Sequence, residues 1–174
     1  MAFLLGYPCP FIRGTVLYRR YQPEDFPTLY EIEECCFQRP HRFSRRYMRQ
    51  LVQNTNGATW VVVDEAAALA GFAIVEWANT EEGTLAYIET LEVKEAHRRQ
   101  GVGVALLQHL IQSAQAAGAG ALWLHVAEDN QAARRLYQSL GFVEQGREKN
   151  YYGRHRDGLV LALLLASADA PPAE

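Results

Sequence analysis

The apolar positions along the chain change their period several times, and each change marks an element. Thr15–Tyr21 is rich in β-branched and aromatic residues and reads as a first strand. Pro23, Glu24 and Asp25 open a helix that runs to about Cys36, with its acidic residues in the first turn, where the helix dipole favours them. Pro40 then breaks the chain. Ser44 can cap a second helix to about Gln53, closed by Asn54, Asn56 and Gly57. Thr59–Asp64 and Gly71–Trp77 are strand-like, and the segment between them is short enough for a hairpin. Thr84–Val93 follows Gly83 as the next strand. From Gly103 the spacing becomes helical: Val104, Leu107, Leu110, Ile111 and Ala114 share a face, and Gly118 stands where a C-cap belongs. Ala121–Ala127 is a nearly continuous apolar run, as expected at the centre of a sheet. Asn130 can cap a helix whose face carries Ala133, Leu136, Tyr137 and Leu140, and Gly141 ends it. Val143–Tyr151 and Leu159–Leu165 read as two final strands. The pattern predicts an α/β domain with antiparallel strands first and a β-α-β crossover in the middle.

Composition narrows the classes. The chain has 174 residues, enough for one domain that buries roughly two-thirds of its unfolded surface without a disulfide or metal staple. Hydrophobic residues make up 49% and charged residues 21%, which excludes wholesale disorder. A net charge of −3 argues against a dedicated nucleic-acid binder. No apolar run approaches the roughly 20 residues of a membrane helix. The opening stretch lacks a positive region and is interrupted by Gly6, Pro8 and Pro10, so no signal peptide is expected. Cys9, Cys35 and Cys36 form neither a disulfide framework nor a zinc spacing, and no metal is expected. Reduced thiols in a cytoplasmic protein are the simplest reading. Residues 1–14 read as an extension, 15–165 as the domain and 166–174 as a disordered tail.

The most informative stretch is residues 91–107. A strand runs into Arg98, Arg99, Gln100, Gly101, Val102, Gly103 and Val104, and then a helix begins. Glycines let backbone N–H groups approach a ligand, and a helix N-terminus favours negative charge, so this is a pyrophosphate cradle in physical terms. A P-loop needs a Gly-Lys-Ser/Thr ending, and a dinucleotide fingerprint needs Gly or Ala where Leu106 stands. On spacing alone, a glycine-rich turn with no ligand is an equal reading.

The wider pattern is more specific. Arg98-x-x-Gly101-x-Gly103 follows a strand and precedes a helix. A second strand comes next, then Asn130 and Tyr137 on a helix ending Leu140-Gly141-Phe142. This resembles the GCN5-related N-acetyltransferase (GNAT) superfamily, and the phrase NQAARRLYQSLGFVEQGREKNYY is close to that of its protein N-terminal acetyltransferases. The resemblance covers about Thr15 to Leu165. It implies a single domain with a mixed, mostly antiparallel sheet, whose central crossover binds acetyl-CoA. Arg98–Val104 would hold the pyrophosphate through backbone amides. Leu91 and Val93 would pair their backbones with the pantetheine arm, and Asn130 would hydrogen-bond it. Tyr137 would be the general acid for the leaving thiolate. The plainer readings are a helix cap for Asn130 and a core aromatic for Tyr137.

An amine must be neutral to attack, so a base is needed, and a histidine's reference pKa of about 6.5 suits an α-amine of about 7.7–8.0 far better than a lysine of about 10.4. His125 stands mid-strand in Leu124-His125-Val126, where a histidine alone is more often a core residue. The resemblance gives it more. Bacterial ribosomal-protein alanine acetyltransferases carry Glu there, whereas some eukaryotic and archaeal N-terminal acetyltransferases carry His, with a partner Tyr on the preceding strand. Tyr87 in Tyr87-Ile88-Glu89-Thr90-Leu91 matches that partner. Glu89 departs from the apolar residue of that subgroup. It shares a strand face with Tyr87 and is an alternative base or a reader of the amine, while Glu92 would point the other way, as sheet surface or a supporting group.

On the acceptor side, Tyr151 and Tyr152 resemble the pair with which this subfamily holds a peptide backbone. Phe37 and Pro40 would wall the pocket for the first side chain. Arg39, Arg42, Arg45, Arg46 and Arg49 form a basic cluster that is either a solvated face or a rim for acidic peptides. The expected activity is acetyl transfer from acetyl-CoA to a protein or peptide N-terminal α-amine, by direct attack in a ternary complex. A small amine or lysine side chain as acceptor, and a non-catalytic acyl-CoA-binding module, are the rival readings.

Overall fold

The computed structural model describes residues 16–37 and 41–165. The extension, the tail, Thr15, Arg39 and Pro40 lie outside those residues. A seven-stranded sheet forms the middle layer: β1 (Leu17–Arg20), β2 (Gly57–Val63), β3 (Leu69–Thr80), β4 (Gly83–Val93), β5 (Ala119–Ala127), β6 (Val143–Glu148) and β7 (Gly158–Leu164), in the order β1-β2-β3-β4-β5-β7-β6. Every pairing is antiparallel except β4 with β5, which the crossover helix joins. α1 (Phe26–Cys36) and α2 (Arg45–Gln53) cover one face, burying Leu29, Ile32, Met48 and Leu51 against Val61, Phe72 and Ile74. α3 (Val102–Ala116) and α4 (Gln131–Ser139) cover the other, where Leu106, Leu107, Leu110 and Tyr137 meet Val62, Ala73, Val75, Leu122 and Leu124.

Local chemistry sets the boundaries. The Ser44 side chain accepts the Tyr47 N–H at 3.1 Å and starts α2, a cap of about 1 kcal/mol. Gly118, at φ 78°, ends α3 in the left-handed region that glycine adopts freely. α3 lies across β2 to β5, so its buried arc is wider than an amphipathic stripe. It includes Val102, Ala105 and Leu106, and leaves the expected Val104 and Ile111 only partly covered. β6 stops at Glu148, short of the expected Tyr151. Asn150, at φ 56°, turns the chain there, with its N–H on Asp157 Oδ1 (2.9 Å) and its Oδ1 accepting from His155 N (2.7 Å).

Two irregularities shape the centre. In the β3–β4 ladder Ile74 pairs with Thr90 but Val75 pairs with Ile88, which leaves Glu89 as an extra, bulged residue. A bulge bends its strand and shifts the alternation of side chains by one. Ala86 and Ile88 before it, and Leu91 and Val93 after it, therefore all face α3 and α4. Glu92 accordingly faces α1. It is only 3% exposed, not sheet surface. The second irregularity is that β4 and β5 pair only from Thr84–Tyr87 with Ala119–Trp123 and then separate.

Gly71 on β3 lies tight against β4, where an added Cβ would stand 2.5 Å from the Glu92 carbonyl oxygen. Gly71→Ala is expected to destabilise the domain by about 1–3 kcal/mol in a denaturant melt, as an overpacked site does. Gly120→Ala, which meets nothing within 4 Å, is the control expected to melt close to the wild type.

Candidate active site

Where β4 and β5 part, a cavity of about 810 Å³ passes between the strands. Phe37, Phe43, Tyr47 and Glu89 line it on the α1–α2 side, Asn130, Ala133 and Tyr137 on the α4 side, and Tyr151 and Tyr152 come from the loop after β6. Across its middle the Tyr87 hydroxyl lies 2.8 Å from His125 Nδ1. Burial first, and then the neighbouring Tyr151 hydroxyl, push the Tyr87 phenol far above its ordinary value, so it keeps its proton and can donate it to Nδ1. The Glu148 carboxylate stands 3.2 Å from Nε2 and favours the tautomer with its proton there. That contact is close enough to pair charges but is not aligned as a hydrogen bond, so Nε2 has no formal acceptor. Glu148 is half exposed, so the Tyr87–His125–Glu148 row runs from the buried gap to solvent.

Tyr151 stacks on His125, with ring centroids 4.1 Å apart and planes 6° from parallel, and Tyr152 meets Tyr151 edge-on at 4.9 Å. The loop is fixed behind them by two hydrogen bonds of 3.0 Å from Arg156 to Asp129. Gly158 is required at the start of β7 because a Cβ there would lie 2.9 Å from Tyr151 Cβ.

Glu89 sits on its bulge with one carboxylate oxygen 3.3 Å from the Tyr47 hydroxyl. Burial, and then the Glu76 carboxylate, raise it to about 7, while Tyr47 pulls the other way. Behind it, Glu33 and Glu92 form a buried acid pair, 0% and 3% exposed. Burial, and then the Glu33 carboxyl, hold Glu92 well above the ordinary carboxylate range, so it carries a proton. Glu92 Oε1 accepts from Thr90 at 2.9 Å, and Glu33 Oε1 accepts from the Phe43 N–H at 2.6 Å. The pair ties the segment after α1 to β4.

On the opposite side, Arg99 at φ 58° and Gly101 at φ 82° form a turn of left-handed residues that leads into the N-terminus of α3, and no side chain caps it. Successive N–H groups in such a turn make an anion nest. A Cβ on Gly101 meets nothing, so that glycine is called for by its positive φ, and one on Gly103 would touch Leu136 at 3.4 Å and Leu91 at 3.8 Å, which places Gly103 where α3 faces α4 and β4. The Arg98 side chain is used internally: its Nε donates to the Val93 carbonyl at 2.8 Å, and Gln100 donates to the Ala96 carbonyl. Val93 is not a wall residue. Leu91 is, on a stretch of β4 whose β5-facing edge has no strand partner. Asn130 caps α4, accepting Ala133 N at 3.1 Å, and keeps its amide N–H groups to offer to the cavity it lines. Burial raises Tyr137 to about 12. These features fit an extended, anion-headed acyl carrier: a backbone nest, an open strand edge and an apolar wall. Among the described residues no cluster of side chains is built to hold a metal.

The sequence brought Tyr87, His125, Glu89, Tyr137, Tyr151, Tyr152 and Phe37 to one cavity, and all of them line it. Sequence reasoning missed Tyr47, Glu148 and the Glu33–Glu92 pair, which strand register and helix placement bring in from distant segments. Of the arginine cluster, Arg45 and Arg49 lie over the Phe26 ring and Arg42 pairs with Glu34, while Arg39 lies outside the described residues. Cys36, raised to about 11 by burial and then by Glu92, stays a thiol.

Residues 26–142 match the acetyltransferase (GNAT) family. The [ribosomal protein bS18]-alanine N-acetyltransferase of Escherichia coli (strain K12) is 36% identical over 145 residues, 80% of this chain and 90% of that protein. Among solved structures, Arabidopsis thaliana NAA60 in complex with a bisubstrate analogue superposes with a TM-score of 0.78 at 25% identity, covering 88% of this chain and 100% of that one. The ribosomal-protein-S18-alanine N-acetyltransferase from Escherichia coli gives 0.75 at 28% identity, covering 92% and 99%.

Glu89 offers a direct check on the electrostatics. Its folded value of about 7 lies above the ordinary carboxyl value, so the folded state binds its proton more tightly than the unfolded chain does. The associated stability is present below the ordinary value and is lost as pH rises through about 7. Glu89→Gln is therefore expected to raise Tm over the wild type at pH 8, with the difference shrinking toward pH 4. An equal Tm difference at both pH values in scanning calorimetry would show that Glu89 titrates as an ordinary carboxyl.

Proposed function

The chain belongs to the acetyltransferase (GNAT) family, and from that premise we propose that it transfers acetyl from acetyl-CoA to the α-amine of a protein or peptide N-terminus, by direct attack in a ternary complex. The observations that carry this reading are the gap between β4 and β5, lined from both faces of the sheet, the Tyr87–His125 pair across it, and the left-handed glycine turn at the N-terminus of α3. The relatives named for N-terminal acceptors support the choice of amine.

Acetyl-CoA supplies the acyl group as a thioester. The nest at Arg99–Gly103 would hold its pyrophosphate through main-chain N–H groups, and the free edge of β4 at Leu91 and the Asn130 amide would hold the arm. The C–N bond forms as the C–S bond breaks. Tyr137, kept protonated by burial, can give its proton to the departing sulfur. The amine's proton passes to His125 and Tyr87, with Glu148 leading it to solvent. Most of the acceleration is then positioning, with proton transfer added to it. The half-buried Cys36 thiol, raised to about 11 and so held protonated, is no candidate for an acyl-enzyme. Cys35 and Cys36 are free, which suits a cytoplasmic setting; among the described residues no helix is long and apolar enough to cross a membrane.

Peptides with a free N-terminus are expected to be acetylated much faster than the same peptides blocked at the N-terminus and carrying an internal lysine, whose amine is about 99.9% protonated at pH 7.4 by its reference value. Equal rates would overturn the acceptor class. His125→Ala is expected to lower kcat by about 10²–10⁴-fold, with a smaller loss for Glu89→Gln. A silent His125→Ala beside a dead Glu89→Gln would move the base to the carboxylate.

The donor side has its own tests. Tyr137→Phe is expected to cost about 10²-fold or less in kcat, with acetyl-CoA affinity retained. Gly103→Glu, folded by circular dichroism, is expected to lose acetyl-CoA binding in calorimetry, because its carboxylate would stand against the pyrophosphate. Unchanged affinity would remove the nest from the donor site.

A further inference from the structure

Beside the main cavity lies a second groove of about 540 Å³, on the α2 side of the sheet, and the two share Tyr87 and Glu89 as a common wall. Strand register builds its floor. Glu76 on β3 is directly opposite Tyr87 on β4, and Tyr87 is directly opposite Trp123 on β5. Residues paired in this way share a face of the sheet, so a carboxylate, a phenol and an indole stand side by side in one row. Leu85, 40% exposed, continues the floor, and Asn54 and Asn56 form the rim.

The charge in this groove is all of one sign. Glu76 and Glu89 are its ionisable carboxyls, and among the described residues that line it there is no lysine, arginine or histidine. Glu76 has a neutral partner only, accepting from Asn54 Nδ2 at 2.6 Å. No arginine of α2 lines the groove, and Arg45 and Arg49 lie over the aromatic rings of α1. The indole N–H of Trp123 is buried and has no hydrogen-bond partner. Two carboxyl groups with neutral hydrogen-bond partners and no cation beside them, an aromatic face and an apolar ledge suit an aliphatic stem that ends in a cation, whose charge would favour the ionised form of Glu89, and a buried unpaired N–H suits a carbonyl beside it.

We propose that this groove receives the cationic side chain of residue one or two of the acceptor peptide, with its charge between Glu76 and Glu89 and its stem along Trp123 and Leu85. The groove begins at Tyr87, where the α-amine is to be deprotonated, so only the first two residues can place a side chain in it. The inference rests on the N-terminal acceptor reading. It adds a selection that the Tyr87–His125 pair cannot make, because that pair meets only the amine common to all peptides.

The test uses peptides with a free N-terminus carrying Arg, Gln or norleucine at position one or two, since arginine has no acylatable ε-amine. The wild type is expected to show kcat/KM about tenfold or more higher for Arg at one of these positions, the span of a charge-assisted pair. This preference should shrink as salt rises. Glu76→Gln is expected to bring the Arg-to-Gln ratio close to one, and Glu76→Lys to favour a Glu peptide over Arg. Both variants are checked for fold by acetyl-CoA binding. A wild-type ratio near one, or a tenfold ratio that survives both substitutions, overturns the groove assignment while acetyl transfer itself stands. Faster transfer to agmatine than to any peptide would give the groove to a small cationic amine and overturn the inference. Transfer to no peptide at all would overturn the acceptor reading and the inference with it.

Discussion

The backbone hydrogen bonds between β4 and β5 end at Tyr87 and Trp123. Beyond that row the two strands carry on without each other, and the bulge at Glu89 bends β4 away. An open sheet interior is costly unless its polar groups find partners, so a break of this kind marks a place where something else is meant to bind. The cavity, the bare edge of β4, and the span bridged by Tyr87 and His125 all follow from it. If β5 were zipped to β4 along its full length, the glycine turn and the tyrosines would still exist, but on opposite sides of a closed wall.

Electrostatics are arranged around the same break. The side chains nearest it carry oxygen: Glu89, Glu33 and Glu92 with Tyr47, Tyr87, Tyr137 and Tyr152. Burial raises Tyr87, Tyr137, Tyr152, Glu89 and Glu92 toward their protonated forms. The guanidinium groups of Arg45 and Arg49 on α2 meanwhile lie over aromatic faces of α1. Proton-holding groups therefore surround the reacting position, and the one guanidinium among the described residues lining the cavity, that of Arg156, is paired with Asp129. A protonated Glu92 also lets two carboxyls share a dry space and still hold the Phe43 segment in place.

Much of this was legible in the sequence because it is local or periodic. Ser44, Asn130 and Gly118 mark helix ends by short-range bonding, and strand alternation located His125 and Tyr87. The family resemblance, not periodicity, made those two a pair. What stayed hidden depends on register. Glu148 reaches His125 because β7 inserts between β5 and β6, an order that no spacing encodes. The bulge at Glu89 adds a single residue to one strand, and with it the direction of Glu92 reverses relative to simple alternation. The helix face of α3 was read one stripe too narrow because four strands lie beneath it. The arginine cluster read in one dimension as either a solvated face or a recognition rim, and packing adds that Arg45 and Arg49 have aromatic rings as partners.

The gap between β4 and β5 is lined from both faces of the sheet, by α4 residues on one and by residues of the α1–α2 side on the other. A bulky carrier seated on the glycine turn and a polypeptide arriving past Phe43 and Tyr151 would approach from opposite sides and meet only at their reacting ends. Neither occupies the other's route, so the size of the acceptor places no demand on the carrier's seat. A spent carrier could leave while the modified chain still filled the far side. A sheet opened in this way works as a partition with one hole, and changes in the loops on one side can retune the acceptor without disturbing how the carrier is held on the other.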